Sequence, residues 1–136
     1  MPAKLLVDTS AWIVSFRKSG HEQLKKTLVA ALDTLAVTTT NIVIIELLQG
    51  CRNRNEYDAM HARLTALETI PISDAVWDLS STTGYELRRK GITVPTLDII
   101  IASAAKIFDC SLLHHDKHFR AISKHLHITA VDYIDD

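Results

Sequence analysis

No apolar run in this chain approaches the roughly 20 residues that a membrane-spanning helix needs, so a helical span is excluded. Cysteine is scarce: Cys51 and Cys110 are the only two, and they show no C-x-x-C spacing. With no secretory leader pattern either, they read as buried thiols in a reducing compartment, and the expected location is cytoplasmic. An excess of charge of one sign is also missing, since 15 basic residues face 16 acidic ones for a formal net charge of −1. That removes any bulk attraction to nucleic acid or to an anionic membrane, and leaves only local basic patches to make such contacts. The three prolines and four glycines are scattered as punctuation, with no linker, repeat or low-complexity tract. What remains fits one domain across residues 1–136, long enough to bury a real core.

The organising stretch is Lys4-Leu5-Leu6-Val7-Asp8-Thr9-Ser10-Ala11-Trp12. Leu5–Val7 is apolar without alternation, as suits a strand buried on both faces of a parallel sheet. Apolar residues resume after Ser10, predicting a helix over Ser10–Phe16 capped by Thr9 or Ser10. Asp8 therefore falls at the carboxyl end of a buried strand, which is where open α/β sheets bind ligands.

Periodicity then predicts a helix over His21–Asp33, a strand over Leu35–Thr38, and a helix over Asn41–Gln49 capped by Thr40 or Asn41. That last helix is apolar nearly all round, so burial on most faces is expected, and Glu46 is its one charge. An unpaired buried carboxylate is costly unless a metal or an Arg lies beside it, whereas an exposed stripe shared with Gln49 needs no partner. An amphipathic helix follows over Asn55–Leu67. Thr69–Ile72 reads as a strand broken by Pro71, and so as an edge. Ser73 caps a long helix running to about Lys90, with Val76, Ser80, Thr83 and Leu87 on one face. Arg88, Arg89 and Lys90 suit its C-terminus and offer a phosphate-contacting patch. Thr96 is the expected cap of a helix over Leu97–Phe108, with Asp98 in its first turn. Ser111–Leu113 is a fourth strand, ending in His114-His115-Asp116-Lys117-His118-Phe119. A helix with Phe119, Ile122 and Leu126 inward, a fifth strand over His127–Val131 and a frayed tail from Asp132 complete the chain. Alternating short strands and helices predict an α/β fold with a mostly parallel sheet.

Most of the sixteen acidic residues sit on polar helix faces or in turns, but Asp8, Glu46, Asp98 and Asp116 each follow or interrupt an apolar segment. If they converge, each pair about 5 Å apart costs about 3 kcal/mol at an effective dielectric near 20. Hard divalent cations relieve such repulsion, and Mg²⁺ or Mn²⁺ suits an all-oxygen site that keeps several waters.

The order of these motifs resembles a PIN domain, and more narrowly the VapC-type toxins of bacterial toxin–antitoxin pairs. The residues that carry the likeness are Leu5-Leu6-Val7-Asp8-Thr9-Ser10, Asn41 through Glu46 to Gly50, Pro95-Thr96-Leu97-Asp98, and Leu112 through Asp116 to Phe119. The resemblance implies one α/β domain with a parallel five-stranded sheet of order 3-2-1-4-5 between helices. It implies a Mg²⁺- or Mn²⁺-dependent endoribonuclease with RNA as substrate, held in check by a cognate antitoxin and assembled as a homodimer. Carried over by position, Asp8, Glu46, Asp98 and Asp116 become a catalytic and metal-binding quartet. Asp8 and Asp98 are expected as the most direct ligands, with Glu46 and Asp116 completing the site through water or a second ion. Thr9 and Ser10 match a small polar position useful for holding a carboxylate or water. The chain departs from the family at His114, where Ser or Thr is frequent, and at His118, where many members carry a further Asp. That puts a second metal site in doubt and leaves open a histidine contact to phosphate.

His114, His115 and His118 also raise a zinc site, although 114 and 118 straddle a strand end and need not share a face. Two other classes of function stay open. One is a non-catalytic binding module of the same fold, whose acidic pocket holds an ion or docks a basic partner segment. The other is a phosphoacceptor domain with Asp8 as nucleophile.

Overall fold

The computed structural model describes residues 4–135. Five short strands form one sheet: β1 (Lys4–Val7), β2 (Val37–Thr39), β3 (Glu68–Thr69), β4 (Cys110–Leu113) and β5 (Ala130–Val131). Their order is β3-β2-β1-β4-β5, as the resemblance to PIN domains implied, and every pairing is parallel. Seven helices connect them among the described residues: α1 (Thr9–Ser15), α2 (Glu22–Asp33), α3 (Asn41–Gln49), α4 (Arg54–Thr65), α5 (Asp74–Arg89), α6 (Thr96–Ile107) and α7 (His118–Leu126). Parallel neighbours require crossovers, and right-handed ones lie on opposite faces when the chain advances in opposite directions. From β1 the chain moves out through β2 to β3, then returns past β1 to β4 and β5. The helices accordingly pack in two groups, α1 against α2 and α3 with α4 beside them, and α5, α6 and α7 together. The change of direction beside β1 is the topological switch point of the sheet.

Burial follows from this layering. Leu6, Val7, Leu112 and Leu113 on the two central strands are fully buried, as the unbroken apolar runs require. Helix α6 is buried all round over residues 99–105, and the small side chains of Ala102, Ser103, Ala104 and Ala105 admit a close approach of its neighbours. On α5 the small polar face of Val76, Ser80, Thr83 and Leu87 is buried as expected, Ser80 donating to the Val76 carbonyl at 2.7 Å. Phe119, Ile122 and Leu126 of α7 also point inward.

Several boundaries differ from the sequence reading, each for a local reason. Asp8, rather than Thr9 or Ser10, caps α1. Leu35 and His127 are not in strands; both are in the left-handed region, at φ 57°. At the end of α2, the N–H of Leu35 donates to the Leu32 carbonyl and that of Ala36 to Ala31, a Schellman closure that uses up the residues assigned to β2. Ile128 N–H bonds the Ser123 carbonyl at the end of α7 in the same way, so β5 begins only at Ala130. Thr40 caps α3, but that helix is not buried on most faces: Val43, Ile44 and Leu47 are inside while Ile45 is exposed. Pro95 takes the cap position of α6 with no side-chain bond, which makes Thr96 its first helical residue. Strand β3 is the expected edge, but it ends earlier: Ile70 N–H reaches the Thr39 carbonyl at 2.7 Å, and Pro71 has no N–H to continue.

Leu6 has no exposed surface on the central strand. Leu6→Ala is expected to lower the free energy of unfolding by about 2–5 kcal/mol, read as a shifted midpoint in urea with an unchanged slope.

Candidate metal centre

All four acids singled out from the sequence belong to elements that end or begin at the carboxyl edge of the central strands or face it. Asp8 follows β1 directly, and its N–H donates to the Leu113 carbonyl at 2.9 Å, extending the β1–β4 ladder by one residue. Its side chain turns back to cap α1: Oδ2 accepts from the Ser10 N–H at 2.9 Å and from the Ser10 hydroxyl at 2.5 Å. The same hydroxyl accepts the His115 N–H at 2.9 Å, so Ser10 ties the end of β1 to the turn after β4. Asp8 is 4% exposed. Burial pushes its carboxyl above the usual range and the Glu46 charge adds to that, while the bonds from Ser10 oppose it.

Glu46 is partly buried on α3, and its Oε1 accepts from the Thr9 hydroxyl at 2.8 Å. Thr9 and Ser10 thus each hold one acid of the group. Asp98 enters from the first turn of α6. Its carboxyl is pushed up to about 6, first by burial, then by the charges of Asp8 and Asp116, with Glu46 adding and His118 opposing. Asp98 thus feels the charges of the other three acids, and Asp8 that of Glu46. Asp116 stands in the turn after β4; its Oδ1 accepts the His118 N–H at 3.0 Å, and its own N–H donates to His114 Nδ1 at 3.3 Å.

The atoms that come closest belong to Asp98, Asp116 and His118. Their ligand atoms all lie within 4.8 Å of one another. His118 Nδ1 is 3.1 Å from Asp116 Oδ1 and 3.6 Å from Asp98 Oδ2. Asp8 and Glu46 are outside that trio, and each has an oxygen already engaged by a hydroxyl.

The three histidines diverge. His114 is buried and packs against Phe119 with ring centroids 5.0 Å apart; burial lowers its pKa. His115 turns toward the Asp132 carbonyl at 3.3 Å and meets the edge of His21. Only His118 turns to the acids, so among the described residues the three form no common site. The basic run at the end of α5 is likewise divided. Lys90 donates to His125 Nδ1 at 2.8 Å, Arg89 lies over the Tyr85 ring, and Arg88 and Arg89 line a groove with Trp77.

Sequence reasoning missed the support behind this centre. The tail from Asp132 is not frayed at its start: Arg120 grips Asp132 through Nε at 2.9 Å and Nη2 at 3.2 Å, and reaches the Ile134 carbonyl. Asp132 Oδ2 lies 3.8 Å from His114 Nε2, and His114 in turn receives the Asp116 N–H. The available signal was an acid directly after a strand, the feature that picked out Asp8.

A doubly wound parallel sheet with acids gathered at its switch point defines a class of small α/β domains built around an acidic centre. The chain belongs to the PIN domain family, whose profile matches residues 5–125. It is similar to Ribonuclease VapC11 of Mycobacterium tuberculosis, 24% identical over 133 residues that span 95% of this chain and 98% of that protein. Its fold is similar to that of VapBC2 from Rickettsia felis bound to a promoter DNA fragment, with a TM-score of 0.77, 18% identity, and 96% and 98% of the two chains covered. DNA-bound VapBC from Salmonella typhimurium superimposes with a TM-score of 0.75 at 20% identity over 98% of this chain and all of that one.

In metal-free protein the raised Asp98 carboxyl makes the folded chain bind more protons than the unfolded chain between about pH 4 and 6, so stability falls as pH rises through that window. Asp98→Asn is expected to raise stability in EDTA by about 1–2 kcal/mol at pH 7 and by much less at pH 4, the figure allowing for solvent screening. Thermal unfolding at the two pH values measures the difference.

Proposed function

We propose that this chain is a divalent-metal-dependent endoribonuclease, the toxin half of a toxin–antitoxin pair. The observation that carries the reading is the gathering of Asp98, Asp116 and His118, whose ligand atoms lie within 4.8 Å of one another, in a pocket where Asp98 also feels the charges of Asp8 and Glu46. A fold gains nothing in stability from such a group, and its burial suits a site that a cation completes. The names of its relatives support the substrate: the similar proteins of M. tuberculosis and M. bovis are called ribonucleases. Its structural neighbours include a toxin–antitoxin complex from Klebsiella pneumoniae, with a TM-score of 0.66, which supports an antitoxin as partner.

The donor set fits Mg²⁺ or Mn²⁺, being carboxylates with room for water. The sequence pointed to Asp8 and Asp98 as the direct ligands; the separations in the structure favour Asp98 and Asp116 to hold the ion, with Asp8 and Glu46 completing the site directly or through water. Such an ion supplies charge neutralisation at a phosphodiester and a lowered pKa for water. The protein's own part is positional. Ser10 and Thr9 fix the Asp8 and Glu46 carboxylates, and His114 anchors the turn that carries Asp116. Carboxylate oxygens not engaged by these hydroxyls take the proton of an attacking water. A basic antitoxin segment would enter the same acidic pocket, and a homodimer belongs to the same reading. Cys51 and Cys110 are unpaired, which accords with a reducing cytoplasm, and no described helix is long and apolar enough to cross a membrane.

Purified protein is expected to cut RNA with Mg²⁺ or Mn²⁺ and to stop in EDTA. Asp8→Asn keeps the cap, since Asn serves that position as well, but should lower the rate on the order of 10²-fold or more. Intact RNA after incubation of folded, metal-replete protein would leave the non-catalytic binding module as the better account.

A further inference from the structure

We propose that His118 Nδ1 is itself a ligand of the divalent ion, making this pocket a mixed nitrogen–oxygen site that favours Mn²⁺ over Mg²⁺. The inference rests on the metal-dependent reading of the pocket and goes beyond it by fixing one ligand and the ion preferred. Octahedral ions with bonds of about 2.1 Å place adjacent ligand atoms roughly 3 Å apart and opposite ones roughly 4.2 Å apart. The separations of 3.1 Å from Nδ1 to Asp116 Oδ1 and 3.6 Å to Asp98 Oδ2 fall close to the adjacent spacing. The third pair is also inside the 4.8 Å that encloses all three atoms. An ion held by all three would draw together atoms that already stand this close.

The local backbone explains why the ring is aimed there. His118 opens α7, and its N–H donates to Asp116 Oδ1. That bond closes a tight turn and keeps the carboxylate and the imidazole on one side of the chain. Asp116 is held from behind by its own N–H on His114 Nδ1, and His114 packs on buried Phe119. The His118 ring is thus carried by a hydrogen-bonded turn, with its outer edge open to solvent. Nδ1, the nitrogen nearer the backbone, is the one that faces the acids.

The chemistry follows from the donor. Imidazole nitrogen suits later and softer divalent ions, whereas Mg²⁺ prefers oxygen and keeps its waters. Two carboxylates with one imidazole and water leave Mn²⁺ well served and Mg²⁺ short of an oxygen. If His118 only neutralised the acids, or only contacted substrate phosphate, an arriving dication would displace it or leave it uncoordinated.

Pulsed electron paramagnetic resonance of Mn²⁺ bound to the full chain separates these cases. A nitrogen-14 coupling is expected in the wild type and should vanish in His118→Asn. His118→Asp should keep Mn²⁺ bound without that coupling, and shift the Mn²⁺-to-Mg²⁺ affinity ratio toward Mg²⁺ about tenfold or more, read by competition titration. Bound Mn²⁺ with no nitrogen coupling in the wild type overturns the proposal while leaving the metal-dependent reading intact. A coupling that survives His118→Asn overturns it too, by assigning the nitrogen to another residue. Failure of the wild type to bind Mn²⁺ at all overturns both.

Discussion

Like charges repel, and the structure around Asp8, Glu46, Asp98 and Asp116 is shaped by having to keep them together. Pairs of carboxylates about 5 Å apart cost about 3 kcal/mol each at an effective dielectric near 20, in a protein whose total stability is only about 5–15 kcal/mol. Three of the four acids are held by hydrogen bonds. Asp8 is locked by Ser10, Glu46 by Thr9, and Asp116 by a backbone N–H on one side and His114 on the other. The Asp98 carboxyl is raised to about 6, first by burial and then by the charges of Asp8 and Asp116.

The fold supplies the stiffness. Central strands β1 and β4 are apolar and buried on both sides, so the ends from which Asp8 and Asp116 emerge have little room to shift. Ser10 adds a cross-brace between those two ends by accepting the His115 N–H across 105 residues of sequence. On the far side, Arg120 pins Asp132 beneath the turn that bears Asp116. Burial drives the fold, and the polar braces direct what burial alone would leave loose. Stability is given up locally where the acids gather, which under the proposed function is the preorganisation that a cation would meet.

The helices show the same division between general and particular causes. Helices α5 and α6 pack against each other, and at Gly84 of α5 an added Cβ would stand 3.5 Å from the Ile99 side chain of α6. Asp98 directly precedes that contact, on the first turn of α6.

Much of this was readable in the linear chain because it depends on neighbours in sequence. Apolar runs gave the strands, helical spacing gave the buried faces of α5 and α7, and Thr40 and Ser73 announced their helices through short-range capping. The four acids stood out because each interrupted an apolar segment. The sheet order followed from resemblance, not from pattern. What the chain could not disclose were choices settled by partners far away. Leu35 and His127 entered the left-handed region because helix ends needed closing, Thr9 turned to an acid 37 positions distant, and Asp132 found Arg120 instead of solvent. His118 lay four residues from His114, yet only the turn at Asp116 decided that one ring would face the acids and the other the core. Local sequence determines which elements form and which faces they bury, since those energies act over a few residues. The direction of a side chain at an element's end is set by whatever the completed fold brings within 3 Å of it.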